Sequence, residues 1–433
     1  MPGLPYDVII PIMGCLFNDY DYGANYSTLY QCSLVNRALH NAATPFLYRC
    51  VTYSAVHTPL SLSRRDPLSE GYFAAARLPH NATLVQRLEI CNLYTQRLNQ
   101  FSSRLKAAVE CWPNLRTVVF TPRTQQDHLF DDALPLLLQL PYLESFTCDP
   151  ACGSELNAQT LSQLRNLKSL TIETPKRVIL QLLPELLRDL KPTLRTLSLT
   201  GNCGSITPGV LRSFVPHMTD IAAFSFGLSY SLTHDDVFEI LEGLPNLTSL
   251  TFFYYLQMRP YRAPYLPHFR DLTVQCVSPS TRSEAAYFYK WVRRVIRHGP
   301  LRKLHVEFPI PSAMRGASPS FSPLLEHLCA RHAATLQVCA LKSLCSTCVL
   351  LEELSVLVSL DVARRLLPEY IENLPRLHAL HIDILGKHKT RRENSTLEAA
   401  QVFFDRNRTL RRVSINKERY TVTIPLHVRS VLA

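Results

Sequence analysis

Cys345 and Cys348 are the residues of this chain best spaced for metal chemistry: they form a C-x-x-C pair with His332 upstream. A structural zinc site needs four such ligands, usually as two knuckles. The other close pair, Cys148 and Cys152, lies nearly two hundred residues earlier. Buried thiols are therefore the expectation for both pairs. His381 and Asp383 stand two apart in a strand pattern, so they share one face. Such a pair could orient a base, but no Ser or Cys sits in a nucleophile-elbow context, and His378 has no catalytic partner in the sequence. A polar binding surface is the expected role. No G-x-G-x-x-G and no G-x-x-x-x-G-K-[ST] occurs, which removes the glycine loops that cradle nucleotide phosphates. Trp291–Arg297 reads as an amphipathic basic helix. Its Trp is expected to pack inward and its cations to face water, with a membrane surface as the alternative. The chain is thus expected to be no enzyme and to carry no catalytic, cofactor or metal residues.

Composition sets wider bounds. The chain has 433 residues, 46% hydrophobic, so a folded protein is expected. Thirteen cysteines, an odd number, fall mostly in strand or helix patterns, as with Cys91, Cys276 and Cys339. Free thiols in a reducing compartment explain that best. The early apolar run is broken by Pro11 and lacks a basic leader, so no signal peptide is read. No apolar stretch approaches membrane-helix length. Cytoplasm and/or nucleus follow as the expected location. The formal charge of +11 would suit nucleic acid. It is spread along the chain, however, and no nucleic-acid-binding motif accompanies it. Nucleic acid and membrane are accordingly not expected as partners.

The elements that would position these residues repeat. Thr193–Asn202 contains Leu194, Leu197 and Leu199 as L-x-x-L-x-L, the strand segment of a leucine-rich repeat. The pattern recurs at Val85-Leu88-Ile90, Leu115-Val118-Phe120, Leu143-Phe146-Cys148 and Leu167-Leu170-Ile172. It continues through Ile221, Leu247, Phe269, Leu301, Leu336, Leu351, Leu377 and Leu410. Central positions 146, 170, 197, 224 and 250 are separated by 24, 27, 27 and 26 residues. Helical patterns fill the gaps at Gln159–Leu164, Val178–Leu190, Asp235–Leu244, Glu284–Arg297 and Ala363–Leu374. Spacing loosens after Leu272, and Pro309–Pro323 reads as a loop. An α/β fold is expected: an irregular leucine-rich-repeat solenoid with a curved parallel sheet over residues 80–433. A connector at 51–79 and a small helical domain at 1–50 precede it.

That first domain reads as three short helices: one opening at Leu4-Pro5 with Asp7 in its first turn, one after Ser27, and one over Ala38–Ala43 that ends near Pro45-Phe46-Leu47-Tyr48-Arg49. Three such helices bury little surface alone, so they are either a cap on the repeats or a docking module completed by a partner. Leu4-Pro5-x-Asp7-Val8-Ile9, Ser27-Thr28-Leu29-x-x-Cys32-Ser33-Leu34-Val35-Asn36-Arg37 and Pro45-x-Leu47-Tyr48-Arg49 resemble an F-box of the fungal type that precedes leucine-rich repeats. The resemblance covers about residues 3–50. It implies docking to a Skp1-type adaptor, and through it a cullin, by an apolar face including Leu4, Pro5, Ile9, Leu29, Leu34 and Val35. The chain would then be the substrate-recognition subunit of a ubiquitin ligase. The alternative is a leucine-rich-repeat scaffold with a helical N-cap and no ligase link.

An unidentified protein target would bind the repeats. Residues flanking the central apolar slot point off the core. They are small in early repeats, as with Thr171, Ser198 and Thr251. In later ones they are charged or hydrogen-bonding: Lys303, His305, Glu307, Glu353, His381, Asp383, Arg412 and Asn416. Complementarity in charge gives specificity, so the later set is the expected target surface.

Overall fold

The computed structural model describes residues 5–17, 26–54, 71–93, 101–124, 126, 128–254, 264–276, 282–307, 353–358, 367–372, 374, 376–384, 394–415 and 418–421. Contacts divide the chain into two compact units: Met1–Ile221 with Ser225–Ser231, and Ala222–Phe224 with Leu232–Ala433. Cys345, Cys348, His332, Leu4, Asn416, the strand pattern at Leu336 and the loop at Pro309–Pro323 lie outside the described residues. No helix among those described is long and apolar enough to cross a membrane.

The first unit opens with helices α1 (Tyr6–Phe17), α2 (Tyr26–Val35) and α3 (Arg37–Arg49). Strand β1 (Cys50–Ser54) follows without a break. Then come α4 (Gly71–Arg77), α5 (Pro79–Ala82), β2 (Arg87–Cys91), α6 (Phe101–Val109), β3 (Thr117–Thr121), α7 (Leu134–Leu137) and β4 (Ser145–Cys148). The unit continues with α8 (Glu155–Ser162), β5 (Ser169–Glu173), α9 (Arg177–Leu190), β6 (Thr196–Asn202), α10 (Pro208–Phe214) and part of β7 (Ala223–Leu228). Strands β1 to β6 pair in sequence order, every one parallel. The second unit holds α11 (His234–Glu242), β8 (Ser249–Tyr254), β9 (Asp271–Cys276), α12 (Arg282–Val295) and β10 (Lys303–Glu307). There β8, β9 and β10 pair parallel in order. A second sheet follows: β11 (Glu353–Val358), α13 (Leu367–Ile371), β12 (Ala379–Ile384), α14 (Asn394–Arg406), β13 (Arg412–Ile415) and β14 (Glu418–Thr421).

This is an irregular leucine-rich-repeat architecture. Strand alternation sends the expected slots into the core. Leu115, Val118 and Phe120 are fully buried, as are Leu197, Leu199, Leu272 and Val274. Trp291 packs inward as expected, stacked on Phe238 at 6.1 Å and on Phe252 at 5.3 Å.

A second ladder runs along the N-terminal edge of the strands. The residue after the first apolar slot of each repeat lends its carbonyl to two amides of the next repeat. Arg116 O accepts from Glu144 N at 2.8 Å and Ser145 N at 2.9 Å. Arg270 O accepts from Arg302 N at 2.7 Å and Lys303 N at 3.0 Å. The edge residues are thereby held in a column, one per repeat.

Three features depart from the sequence reading, and a fourth, the end of α3, falls within the expected stretch. The expected connector begins as β1, whose Val51 and Tyr53 sit opposite Leu88 and Ile90. Helix α3 ends at Arg49, within the expected stretch, having passed through Pro45; Thr44 Oγ1 donates to His40 O at 2.7 Å, supporting the turn in which the ring removes a backbone donor. Helix α8 starts earlier than expected, at Glu155, because Ser154 Oγ caps it by accepting from Asn157 N at 3.1 Å. Strand β14 turns back antiparallel on β13, so the sheet beyond residue 353 is not wholly parallel.

Candidate functional site

Helix α1, YDVIIPIMGCLF, carries one charged residue, Asp7, in its first turn. A helix apolar on every side normally lies buried. Here only one stripe is covered. Ile9 and Met13 enter the core of the three-helix module with Leu29, Ala42 and Ala43, and Leu16, Phe17 and Phe46 pack around them. The flanks of that stripe, Val8 with Ile12 and Tyr6 with Ile10, are exposed; each pair is four residues apart and so shares a face. Helix α2 repeats the arrangement. Leu29 is 0% exposed, while Tyr30 and Leu34 line an outer face, Leu34 at 67% and Val35 at 68%. Half of the exposed large apolar side chains among the described residues, eight of sixteen, belong to these two helices. Scattered exposed apolar residues are ordinary, but a concentration of them marks a contact surface.

The expected docking residues thus separate. Pro5, Leu34 and Val35 are exposed. Pro5 lies just before α1 and its carbonyl accepts from Val8 N at 3.0 Å. Ile9 and Leu29 face inward, at 5% and 0% exposure. They hold the module together and do not form its outer face. Val8, Ile12 and Tyr30 fill the places the sequence reading gave them, and helical phase relative to Ile9 and Leu29 was the signal for that.

The module is fastened to the first strands by polar contacts. Arg49 O, the end of α3, accepts from Gln86 N at 2.9 Å. The Arg49 guanidinium lies 5.4 Å over the Phe17 ring. The hydroxyl of Tyr26 meets the Cys50 thiol; burial, and then that thiol, push the phenol well above its usual range. The residue as a whole remains 36% exposed. Burial also raises the Cys50 thiol, against a hydrogen bond with Thr52. Thr52 Oγ1 donates to Glu89 Oε2 at 3.2 Å, and Arg87 Nε donates to Glu89 Oε1 at 2.7 Å. A hydrogen-bonded chain therefore runs from α2 across β1 to β2.

The expected target residues occupy two sheets. Lys303, His305 and Glu307 lie on β10, opposite Asp271, Thr273 and Gln275 of β9. Lys303 is exposed and His305 half-buried. In the second sheet Ser355, His381 and Ser414 form one rung. Glu353 and Arg412 flank Ala379 on another, and Asp383 sits opposite Leu357. No group of three or more His, Cys, Asp or Glu among the described residues could hold a metal. Cys148 and Cys152 are fully buried, and burial pushes the Cys152 thiol well up, which silences it as a nucleophile.

The sequence reading passed over the edge column. In the first unit the acid Glu144 stands between two cations of the column. Lys168 Nζ meets Glu144 Oε1 at 2.9 Å, and Arg116 approaches the same oxygen at 3.6 Å. Lys168 holds the Glu144 carboxyl below the usual range.

No family model and no curated protein matches the sequence. Among solved structures, the chain is similar to a crystal structure of the Rad7 and Elc1 complex in yeast, at 12% identity over 98% of this chain and 97% of that one, with a TM-score of 0.36. It is also similar to a crystal structure of a TLR13–ssRNA13 complex, at 12% identity and a TM-score of 0.28, covering 76% of this chain and 60% of that one.

Proposed function

We propose that the chain is a substrate receptor: its three-helix module docks a Skp1-type adaptor, and its repeats hold a protein target. In this reading the module is an F-box, the adaptor links it to a cullin, and the assembly is a ubiquitin ligase. The observation that carries the proposal is the apolar surface of α1 and α2, formed by Val8, Ile12, Tyr30, Leu34 and Val35 outside a core already closed by Ile9, Met13 and Leu29. A module that only capped the repeats would have no use for so much exposed apolar area. Within the F-box-like stretch Ser27–Arg37, Leu34 and Val35 lie on that surface, while Leu29 and Ser33 are buried. The chain itself would catalyse nothing; holding a target beside a ubiquitin-loaded enzyme raises its local concentration. Because α3 passes straight into β1, the adaptor and the first strands would be rigidly joined.

The test is co-purification of the full chain with a recombinant Skp1-type adaptor. A stoichiometric complex supports the reading. A repeat protein that never retains the adaptor is the scaffold with a helical cap instead.

A further inference from the structure

One local maximum of positive charge falls on the edge column of the second unit. Residues 265–306 carry eight Lys or Arg against two acids, Asp271 and Glu284, in a chain whose whole formal charge is +11. Folding gathers them. Arg270 and Arg302 are successive members of the column, joined through the Arg270 carbonyl, so their backbones lie about 4.8 Å apart, one strand spacing. Both side chains are exposed. Helix α12 leads back to the start of β10, and Lys290, Arg293 and Arg297, on or just past its last turns, are exposed. In the first unit two members of the column, Arg116 and Lys168, share the Glu144 carboxylate. Among the described residues, no salt bridge links Arg270, Arg297 or Arg302 to a carboxylate. Like charges on adjacent rungs repel, and a protein keeps such a strip where an anion supplies the missing sign.

We infer that this strip binds an acidic peptide segment, a deepening of the target-binding half of the proposal above. Charge complementarity selects an anion, and its layout selects a peptide. The cations cover one helix end and two strand starts, on the order of 10 Å along the helix. The sheet face next to them is mixed in sign, because Asp271 stands opposite Lys303. A nucleic-acid strand carries a phosphate at every residue and would set one against Asp271. A peptide places its carboxylates on the arginines and its neutral residues over the aspartate. Arginine forks take carboxylates bidentately, which fits Arg270 and Arg302 as the anchors.

The experiment uses the full chain and three fluorescent probes: a dodecapeptide alternating Glu and Ser, the same length alternating Gln and Ser, and a single-stranded dT12. Fluorescence anisotropy is read at two salt concentrations. The Glu peptide is expected to bind at least tenfold tighter than the other two, more weakly at high salt, and to lose at least tenfold in the R270E/R297E/R302E variant. The neutralising R270Q/R302Q variant should lose an intermediate amount, and both variants should keep the parent melting temperature because the side chains are exposed. Equal Glu-peptide binding by parent and reversed chain, or no binding by the parent, overturns the inference; so does tighter binding of dT12. Adaptor co-purification of the same variants is read in parallel. Its survival alongside lost peptide binding separates this site from the docking module, and its absence in every chain faults the receptor reading alone.

Discussion

Replacing Leu34 and Val35 together by Ala removes the most exposed apolar side chains of the docking surface, at 67% and 68% exposure. Burying a whole Leu or Val side chain is worth about 1.5–3 kcal/mol. Two-thirds of each is still open, so an adaptor could gain about 1–2 kcal/mol per residue. Alanine retains the part nearest the backbone, which leaves a loss of roughly 1.5–3 kcal/mol for the pair, or about 10- to 150-fold in affinity. Neither residue belongs to the module core, so thermal stability should hold within about 0.5 kcal/mol, as for ordinary surface changes. Isothermal titration of the full-length variant with the adaptor measures the first quantity, and a melting curve the second. Parent-like affinity at parent-like stability would refute the reasoning, because the surface would then be apolar without being used.

Leu29→Ala separates core from surface. Leu29 is 0% exposed, so its loss should cost about 2–5 kcal/mol of stability and weaken adaptor binding only through unfolding; a parent-like melt would contradict the packing. Gly227→Ala should lower the denaturation midpoint. Its Cβ would lie 2.4 Å from the Gly201 carbonyl oxygen and 2.9 Å from Gly201 N, and overpacking against backbone costs about 1–3 kcal/mol. An unchanged midpoint in urea would disprove the close approach. Burial pushes the Cys203 thiol from 9.0 up to about 11. The folded state therefore holds that proton more tightly than the unfolded one, and its contribution is complete below pH 9 and lost as pH rises toward 11. Cys203→Ala should flatten the fall in stability between those pH values, and a parent-shaped profile from the variant would count against it.

The repeats were legible because one rule, apolar slots at L-x-x-L-x-L, is dictated by strand alternation and applies at every repeat. Leu88, Leu170 and Leu272 are all buried where the pattern placed them. Strand β1 escaped because Tyr and Val fill its slots and because Tyr48 and Arg49 read as the end of a helix; only its pairing with β2 reveals it. Helix α3 passes through Pro45 because Phe46 and Leu47 pack against the module core, which outweighs the local preference against proline. The docking residues were half legible. Composition marked α1 and α2 as too apolar for a free surface, but which apolar residue faces which way depends on helical phase against neighbours that the sequence does not name. Ile9 and Leu29 were expected on the outer face and lie in the core. The edge column left no motif at all. Its residues vary from Arg to Glu to Thr, and what they share is the backbone hydrogen bond that aligns them.

Hydrogen–deuterium exchange of the full chain, with and without a Skp1-type adaptor, tests the central claim most directly. The account predicts a one-to-one complex in which new protection falls on residues 5–17 and 26–35, with the strands β2 to β6 unchanged. No complex at micromolar concentrations, or protection confined to the repeats, would contradict it.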